Sequence, residues 1–381
     1  MLTIFFWLAV LTVVYTYFIY PLLLLLLTAG RREVEYTSFA EWPVVSLIIA
    51  AHNEEAVLRE KLENSLALDY PEKQLEIIVA SDGSTDATEE IVRFFAARGV
   101  RLHQVRERGG KTQAQNEAVR LASGQFLVFS DANSMYEQQA LKNLLRPFTD
   151  ENIGCVCGEL RYANPEGDAA GKGEGVYWRY EQFLKGREST LSSTLGANGS
   201  IYALRRELFE ELSADIISDF IMPLRVWCRG FRVVYEPSAV AEEQSGGTFS
   251  DEFRRRTRII ARSLHGLWTE RGVLNPFVHG FFAFQMFSHK LLRWIVPLAL
   301  VVALVSNALL LADELYRVLF ALQLGVYGLA LLGNLLASSL GRFALFYVPA
   351  HFCAINAGAL LGLFSFVSGR RYRTWKPTSR S

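Results

Sequence analysis

The chain has 381 residues, of which 51% are hydrophobic and 20% are charged, and its 39 basic side chains balance its 39 acidic ones. A formal net charge of zero gives no general attraction for polyanions, so the sequence predicts no nucleic-acid partner. Four cysteines occur at spacings that match neither a zinc site nor a disulfide framework. Reduced thiols are therefore expected, which suits a cytosolic compartment.

The apolar residues are concentrated at the two ends of the chain. No charged residue occurs in residues 1–30, 294–312, 318–341 or 343–369. A helix needs roughly 20 apolar residues to cross the hydrocarbon layer, and four such stretches are too many for buried core helices. The sequence predicts one N-terminal transmembrane helix within residues 1–30 and about three transmembrane helices within residues 294–369.

Basic residues beside these stretches predict the orientation of the chain. Arg31 and Arg32 follow the first apolar run instead of preceding it, which is unlike a cleaved signal peptide and places the start of the soluble domain in the cytosol. Three C-terminal crossings would leave the basic tail, residues 370–381, on the opposite side, although basic segments favour the cytosolic side. The sequence leaves this conflict open.

Residues 31–250 are predicted to form one soluble α/β domain, followed by amphipathic interfacial helices in residues 251–293. Short apolar runs predict strands, and the segments between them predict helices: strands at 44–51, 76–80, 101–105 and 125–130, and helices at 53–67, 87–98 and 111–122. Asn53 is the predicted N-cap of the first helix. The alternation predicts a mostly parallel sheet, in which ligands bind beyond the carboxyl ends of the strands.

Two polar clusters follow predicted strands. Asp131 and Asn133 come directly after the fourth strand, and carboxylate and amide oxygens at this spacing suit Mg²⁺ or Mn²⁺. A turn followed by a helix cap explains the same two residues equally well. Asp82 follows the second strand and is free to accept hydrogen bonds from a base or a ribose, with an ordinary Asx turn as the alternative.

Three further segments carry charges that suggest ligand binding. A pair of glycines precedes Lys111, which resembles a phosphate-binding loop without P-loop spacing, or else is a solvated loop lysine. Asp219 lies in an apolar run, where burial would raise its pKa and suit a general base, unless it simply caps a helix. Arg255 and Arg258 belong to a cluster of arginines that suits phosphate recognition or contact with anionic lipid.

As a set, these segments resemble the inverting family 2 glycosyltransferases of GT-A fold. The resemblance rests on the order of short motifs across roughly residues 44 to 262: Ala-His-Asn-Glu-Glu from Ala51, Ser-Asp-Gly-Ser-Thr-Asp from Ser81, Ser-Asp-Ala-Asn from Ser130, Gly-Ala-Asn-Gly-Ser from Gly196, Ser218-Asp219, and Arg255-x-x-Arg258. The flanking apolar stretches resemble the polysaccharide-synthase branch, which includes chitin, hyaluronan, cellulose and poly-N-acetylglucosamine synthases. The implied fold is an α/β GT-A domain with a mostly parallel sheet, plus transmembrane α-helices.

The resemblance implies a role for each matching residue. The implied set is a nucleoside site of Ala51, Glu54 and Asp82, a nucleotide contact at Lys111, a Mg²⁺ or Mn²⁺ site of Asp131 and Asn133, a catalytic base at Asp219, and diphosphate contacts at Arg255 and Arg258. Three positions depart from the family pattern. Arg255 stands where the family motif begins with glutamine, a change that also occurs in related lipid glucosyltransferases. Asn133 stands where the family has a second acid, and Ile259 stands where processive members have a tryptophan that supports the acceptor sugar.

The implied function is transfer of a sugar, with inversion, from a nucleotide sugar to a polysaccharide acceptor. The resemblance favours a UDP-sugar as donor and the cytosolic face of a membrane, expected to be the bacterial cytoplasmic membrane, as the place. Ile259 favours the alternative, which is transfer of a single sugar to a membrane lipid as in ceramide glucosyltransferase. The sequence identifies no partner subunit.

A non-enzymatic reading is a transporter or membrane scaffold that carries an inactive transferase domain. Ionisable side chains inside the membrane would favour transport. The C-terminal apolar stretches hold one histidine, His351, and a few scattered amides. The joint presence of Asp82, Asp131 and Asp219 favours an enzyme instead.

Overall fold

We describe the chain from a computed structural model over residues 1–31, 34–162, 169–244, 249–336 and 343–374. Its strands are β1 Val45–Ala51, β2 Leu75–Ser81, β3 Val100–Gln104, β4 Phe126–Asp131, β5 Met135–Tyr136, β6 Ile153–Tyr162, β7 Tyr202–Arg205 and β8 Arg232–Glu243. Its α-helices are α1 Leu2–Val14, α2 Tyr20–Thr28, α3 Glu55–Leu66, α4 Thr88–Phe94, α5 Lys111–Leu121, α6 Ala140–Leu145, α7 Ala169–Leu191, α8 Ser218–Cys228, α9 Phe249–Thr269, α10 Pro276–Gln285, α11 Leu292–Ala308, α12 Glu314–Leu335 and α13 Ala344–Val367. Short π-helical segments, Tyr15–Ile19 and Met286–Leu291, join α1 to α2 and α10 to α11.

The strands form one mixed sheet in the order β3-β2-β1-β4-β7-β6-β8-β5. Strand β1 pairs in parallel with β2 and β4, and β2 pairs in parallel with β3, which confirms the predicted parallel α/β core. Strand β7 is antiparallel to both of its neighbours and β5 is antiparallel to β8, so the later strands depart from parallel order. The carboxyl ends of β1, β2 and β4 meet at one edge of the sheet, where a ligand site is expected.

Helices cover both faces of the parallel strands. All seven residues of β1 are buried, as expected for a strand with helices on both sides. Ile48 and Phe129 point into a core that includes residues of α5, α8 and α9. Leu47 and Ile49 point into a second core against α3 and α6. Because successive strand residues face opposite sides, these two cores fix the register of β1.

Four helical segments in the described part of the chain are long and apolar enough to cross a membrane: Leu2–Thr28, Pro276–Ala308, Glu314–Leu335 and Ala344–Val367. They fall where the charge-free stretches predicted membrane helices. The second begins well before residue 294, and it bends at Gly280, whose φ of 53° lies in the left-handed region.

A buried polar cluster joins these helices to the α/β domain. The hydroxyl of Tyr20 in α2 donates a hydrogen bond of 2.7 Å to Oε1 of Glu188 in α7. The same oxygen lies 2.7 Å from Nδ1 of His289, which belongs to the π-helical segment before α11. All three side chains are buried. Specific polar bonds therefore supplement apolar packing where the first and second apolar segments meet the domain.

Helix α13 lies along α9 and runs in the same direction. Two glycines allow this close approach, since Gly358 faces the carbonyl of Phe253 and Gly362 faces the carbonyl of Thr257. Further along both helices, the rings of His265 and Phe366 meet at 4.9 Å. A large part of α13 is thus packed against an amphipathic helix of the α/β domain.

The start of the C-terminal tail also lies against the α/β domain. Nη1 of Arg371 is 2.5 Å from Oδ2 of Asp215, and the carbonyl of Arg370 is 3.2 Å from Nε2 of His265. The described part of the tail therefore packs against the same domain that precedes the three C-terminal apolar segments. Residues 375–381 of the predicted tail lie outside the described residues.

We expect Gly362→Ala to weaken the contact between α13 and α9. A Cβ at this position would lie 2.8 Å from Cβ of Ile260 and 2.9 Å from the carbonyl oxygen of Thr257, so the helices would have to separate. Such overpacking costs about 1–3 kcal/mol, and a lower unfolding temperature in detergent is the expected result. The matched control is Gly325→Ala in α12, where a Cβ would meet no atom within 4 Å. Equal melting temperatures for the two variants would contradict the packing.

Candidate functional site

The loops that follow β1 and β2 are bonded to each other. Nδ1 of His52 lies 2.8 Å from the carbonyl oxygen of Asp82, and Oδ1 of Asn53 accepts a bond of 2.8 Å from the backbone N–H of Thr85. Asn53 has a φ of 54°, and Glu54 takes the N-cap position of α3. The prediction that Asn53 caps this helix is wrong, because its side chain bonds to the neighbouring loop instead.

Asp82 holds the glycine loop that precedes α5. Its carboxylate is fully buried, and its two oxygens accept bonds of 2.8 and 2.9 Å from the backbone N–H groups of Gly109 and Gly110. Gly110 has a φ of 96°, which favours glycine. The carboxylate, which was expected to be free, is thus already engaged at both oxygens. Its bonds also fix the start of α5 and hence the position of Lys111.

Lys111 lies between the predicted metal site and the predicted base. Its ammonium donates to Oδ1 of Asp131 at the end of β4 and, at 3.2 Å, to the carbonyl of Gly199. A Cβ on Gly199 would lie 2.7 Å from Oδ2 of Asp219 and 2.8 Å from Nζ of Lys111. Glycine at position 199 therefore allows the ammonium and the Asp219 carboxylate to lie close together.

Asp219 lies in the first turn of α8 at the bottom of this arrangement. Burial raises the pKa of its carboxyl group, the Lys111 ammonium lowers it, and the Asp131 carboxylate raises it again, with a net upward shift. A carboxylate with a raised pKa is a better proton acceptor than an exposed one. The predicted general base therefore has the electrostatic surroundings that this role needs.

One cleft at the carboxyl edge of the sheet brings most of the predicted site residues together. We call it the strand-end cleft, and its lining includes Glu54, Lys111, Asp131, Asn133, Asp219, Arg255 and Arg258. Ala50 lines this cleft, whereas the predicted Ala51 is fully buried beneath it. Asp82 is likewise buried beneath the surface and acts on the cleft through the glycine loop.

Helix α9 contributes a row of arginines to the strand-end cleft. Burial and the neighbouring Arg255 lower the pKa of Arg258, and burial lowers the pKa of Arg262 to about 10. Arg262 donates bonds of 3.0 Å to Oγ1 of Thr112 and 2.6 Å to the carbonyl of Ile216. It thereby ties α9 to α5 and to the segment before α8. The sequence reading missed Arg262, although its spacing of four residues from Arg258 places both on one face of a helix.

Glu243 is a second functional candidate that the sequence reading missed. Its Oε1 accepts bonds of 2.5 Å from the hydroxyls of Ser134 and Ser200, and its side chain lines the strand-end cleft. It lies at the end of β8, far along the chain from the other acids. Among the described residues, no group of three or more histidine, cysteine or acidic side chains is arranged to hold a metal ion.

A second cavity extends from the strand-end cleft to the apolar helices. We call it the inner cavity, and the two share six residues in their linings: Trp178, Asn198, Ile217, Asp219, Arg255 and Ile259. Its far end is lined by Tyr17, Arg293 and Asn356, which belong to three of the four apolar segments. Asp219 therefore lies where a strand-end ligand and a ligand coming from the membrane side would meet.

Comparison with known proteins relates this geometry to a family. Residues 46–213 match the model of the glycosyl transferase family 2. The probable glycosyltransferase YdaM of Bacillus subtilis is 30% identical over 229 residues, which cover 57% of this chain and 54% of the relative. The poly-beta-1,6-N-acetyl-D-glucosamine synthase of Staphylococcus aureus (strain COL) is 25% identical over 254 residues, 63% of this chain and 57% of the synthase. The chain thus spans little more than half of the length of these relatives.

A solved structure resembles nearly the whole chain. The mannosyltransferase PcManGT from Pyrobaculum calidifontis, solved with GDP-Man and Mn²⁺, superposes with a TM-score of 0.74 over 95% of this chain and 99% of that chain. Its identity of 21% makes this a similarity of fold. Residues 46–213 therefore match a family 2 glycosyl transferase domain of GT-A fold, and the described part of the chain adds four apolar helices that are long enough to cross a membrane.

Proposed function

We propose that this chain transfers a sugar from a nucleotide sugar to an acceptor hydroxyl at a membrane surface, with inversion at the anomeric carbon. The observation that carries the proposal is the position of Asp219 at the junction of two cavities. The strand-end cleft offers acids and arginines for a nucleotide sugar, and the inner cavity offers the acceptor a route from the membrane side. A single base between two such sites suits one direct displacement.

The donor binds in the strand-end cleft in this proposal. Glu54 contacts the nucleoside, Asp82 and Ala51 support the nucleoside site from beneath, and Arg255 and Arg258 contact the diphosphate. Two guanidinium groups in a partly dehydrated cleft suit a diphosphate because each offers several directed donors to its oxygens. A UDP-sugar is the proposed donor.

Asp131 and Asn133 would hold a divalent cation, Mg²⁺ or Mn²⁺. Both line the strand-end cleft and offer one carboxylate and one amide oxygen, which are hard donors that these cations accept. Two protein ligands suffice if the diphosphate and water complete the coordination. A cation bound there supplies positive charge against the leaving diphosphate. The ammonium of Lys111, already bonded to Asp131, neutralises the same region from the protein side.

Asp219 acts as the general base. Its carboxylate removes the proton of the acceptor hydroxyl as the oxygen bonds to the anomeric carbon of the donor. The bond from that carbon to the diphosphate oxygen breaks, and its electron pair leaves with the nucleoside diphosphate. Arg255 and Arg258 stabilise the developing charge on the leaving group, since preorganised cations act strongly where water is scarce.

The acceptor is either a growing polysaccharide or a membrane lipid. The similarity to a named polysaccharide synthase favours the first. The second is favoured by Ile259, which lines both cavities at the position where processive members carry a tryptophan. In both cases the reaction takes place where the domain meets the membrane, and we propose the cytosolic face of a bacterial cytoplasmic membrane.

Asp219→Asn should abolish sugar transfer while leaving the fold intact. The amide has nearly the shape of the carboxylate but cannot accept the proton, so we expect a loss of about 10²–10⁴-fold in nucleoside diphosphate release. In the unmodified chain, the carboxyl group of Asp219 has a raised pKa and takes up a proton at a higher pH than an exposed aspartate does. As the solution is acidified, we therefore expect activity to be lost at a higher pH than it would be with an exposed aspartate as the base. Release is measured with a panel of UDP- and GDP-sugars in nanodiscs, with Mn²⁺ and with chelator. Full activity in the variant would rule out Asp219 as the base.

Gly199→Ala should reduce activity more than stability. The added Cβ would lie 2.7 Å from the Asp219 carboxylate and 2.8 Å from the Lys111 ammonium, so one of them must shift. Misplacing a reacting group by about 1 Å can cost about 10²-fold in rate. Gly186→Ala in α7 is the control, because its Cβ would make only an ordinary contact of 3.8 Å with Tyr235. Turnover at the control's level in Gly199→Ala would contradict this geometry.

A further inference from the structure

The inner cavity is lined by more positive than negative side chains. Its cations are Lys185, Arg255, Arg256, Lys290 and Arg293, and its carboxylates are Glu181 and Asp219. Charges that are poorly exposed to water need compensating partners. Among the lining residues that the structure describes, cations outnumber carboxylates, and Lys290 and Arg293 among them belong to one of the apolar segments.

Lys185 is the clearest case of a buried cation in this cavity that has no carboxylate partner among the described residues. Its side chain is 7% exposed, and its ammonium lies 3.7 Å from the thiol of Cys157 and 5.7 Å from the centre of the Trp178 ring. No carboxylate lies within 4 Å of it in the part of the chain that the structure describes. A buried ammonium with a thiol and a ring as its neighbours is costly unless a ligand anion reaches it.

Lys290 and Arg293 share one carboxylate. Glu181 bonds to Nη1 of Arg293, and its Oε2 lies 3.7 Å from Nζ of Lys290 and 3.4 Å from Nε2 of His289. Nε and Nη2 of Arg293 are buried without a hydrogen-bond partner among the described residues. The guanidinium of Arg293 thus keeps donor capacity that an incoming anion could use.

Tyr177, which lines the same cavity, indicates the local electrostatic potential. The hydroxyl of Tyr177 accepts a bond of 3.0 Å from Nη1 of Arg256. Burial raises the pKa of this hydroxyl, but Arg256, Arg293 and Lys290 together outweigh burial and lower it to about 8. A phenol stabilised as its anion indicates a surrounding that would stabilise a phosphate as well.

The cluster lies beside the apolar helices. Lys290 and Arg293 belong to the apolar segment Pro276–Ala308, and Tyr17 on the same cavity wall belongs to Leu2–Thr28. A ligand that reaches these cations while its chain remains in the bilayer must be amphiphilic, with its anionic group directly next to the apolar part.

We infer that the cations of the inner cavity bind the phosphate of a membrane lipid, and that the acceptor hydroxyl belongs to a sugar linked to the lipid through that phosphate. The inference rests on the proposed function and names its acceptor class. A general base at Asp219 requires an acceptor with a proton to lose, and a sugar hydroxyl has one whereas an ionised phosphate oxygen does not. The phosphate then anchors the acceptor at the membrane end of the cavity while its sugar reaches Asp219.

The test measures lipid binding to the full-length chain in nanodiscs, with UDP and Mn²⁺ at saturation to fill the donor site. The probes are a polyprenyl diphosphate, the uncharged polyprenol of the same chain length, and inorganic diphosphate. The polyprenyl diphosphate should bind at least about tenfold more tightly than either of the others. This ratio corresponds to one hydrogen bond to a charged group, taken at the low end of its usual free-energy contribution. Equal affinity for polyprenol, or for inorganic diphosphate, would overturn the inference.

Lys185→Met separates binding from folding. Because Lys185 has no carboxylate partner among the described residues, its removal should leave the melting temperature unchanged or higher. Affinity for the polyprenyl diphosphate should nevertheless fall about tenfold. Lys290→Gln is the second variant and should act in the same direction. The matched control is Arg317→Gln, which removes an exposed cation of α12. Loss of affinity in the control alone, or in none of the variants, would overturn the assignment.

Donor turnover, measured in parallel, distinguishes the two proposals. Release of nucleoside diphosphate without preference for the phosphate-bearing lipid overturns the acceptor assignment and leaves the transferase intact. Binding of that lipid, dependent on Lys185, without turnover of any donor supports the anion site and counts against the proposed function.

Discussion

The position of Lys111 between Asp131, Gly199 and Asp219 is the constraint on which the site depends. Its ammonium is bonded to the end of β4 and to the loop before β7, and the carboxylate at the start of α8 lies on the other side of Gly199. Three segments that are far apart in the chain thereby meet at one charge. The Asp131 carboxylate raises the pKa of Asp219, and the Lys111 ammonium opposes this effect.

Two sets of hydrogen bonds hold the Lys111 ammonium in place. On one side, Asp82 binds the glycine loop through two backbone N–H groups and so fixes the first turn of α5. On the other side, Arg262 ties α9 to Thr112 in that same turn. Helix α9 in turn carries α13 along its length, and the tail that follows α13 returns to Asp215. The strand-end cleft and the apolar helices are therefore linked through α9, and we propose that this link lets a membrane acceptor and a soluble donor meet at Asp219.

The fold was largely predictable from the sequence because its signals are local. Each strand of the parallel half is a short apolar run, and the predicted bounds agree with β1 to β4 within a residue or so. The grouping of Glu54, Lys111, Asp131 and Asp219 also followed from motif order. Motif order could not predict the antiparallel pairing of β7, the hydrogen bonds of Asp82 or the position of Glu243, since each depends on contacts between distant segments. Asn53 was misjudged because N-cap preference is local, whereas its bond to Thr85 arises only when two loops meet.

The central claim is that a single displacement takes place at Asp219, and the stereochemistry of the product tests it most directly. The purified chain is given an α-linked UDP-sugar without an acceptor, and the sugar released by slow hydrolysis is followed by proton nuclear magnetic resonance before it equilibrates. Direct displacement by a water molecule activated at Asp219 predicts that the β-anomer forms first. Initial formation of the α-anomer would contradict the account, because it would require two displacements or a different geometry between the base and the donor.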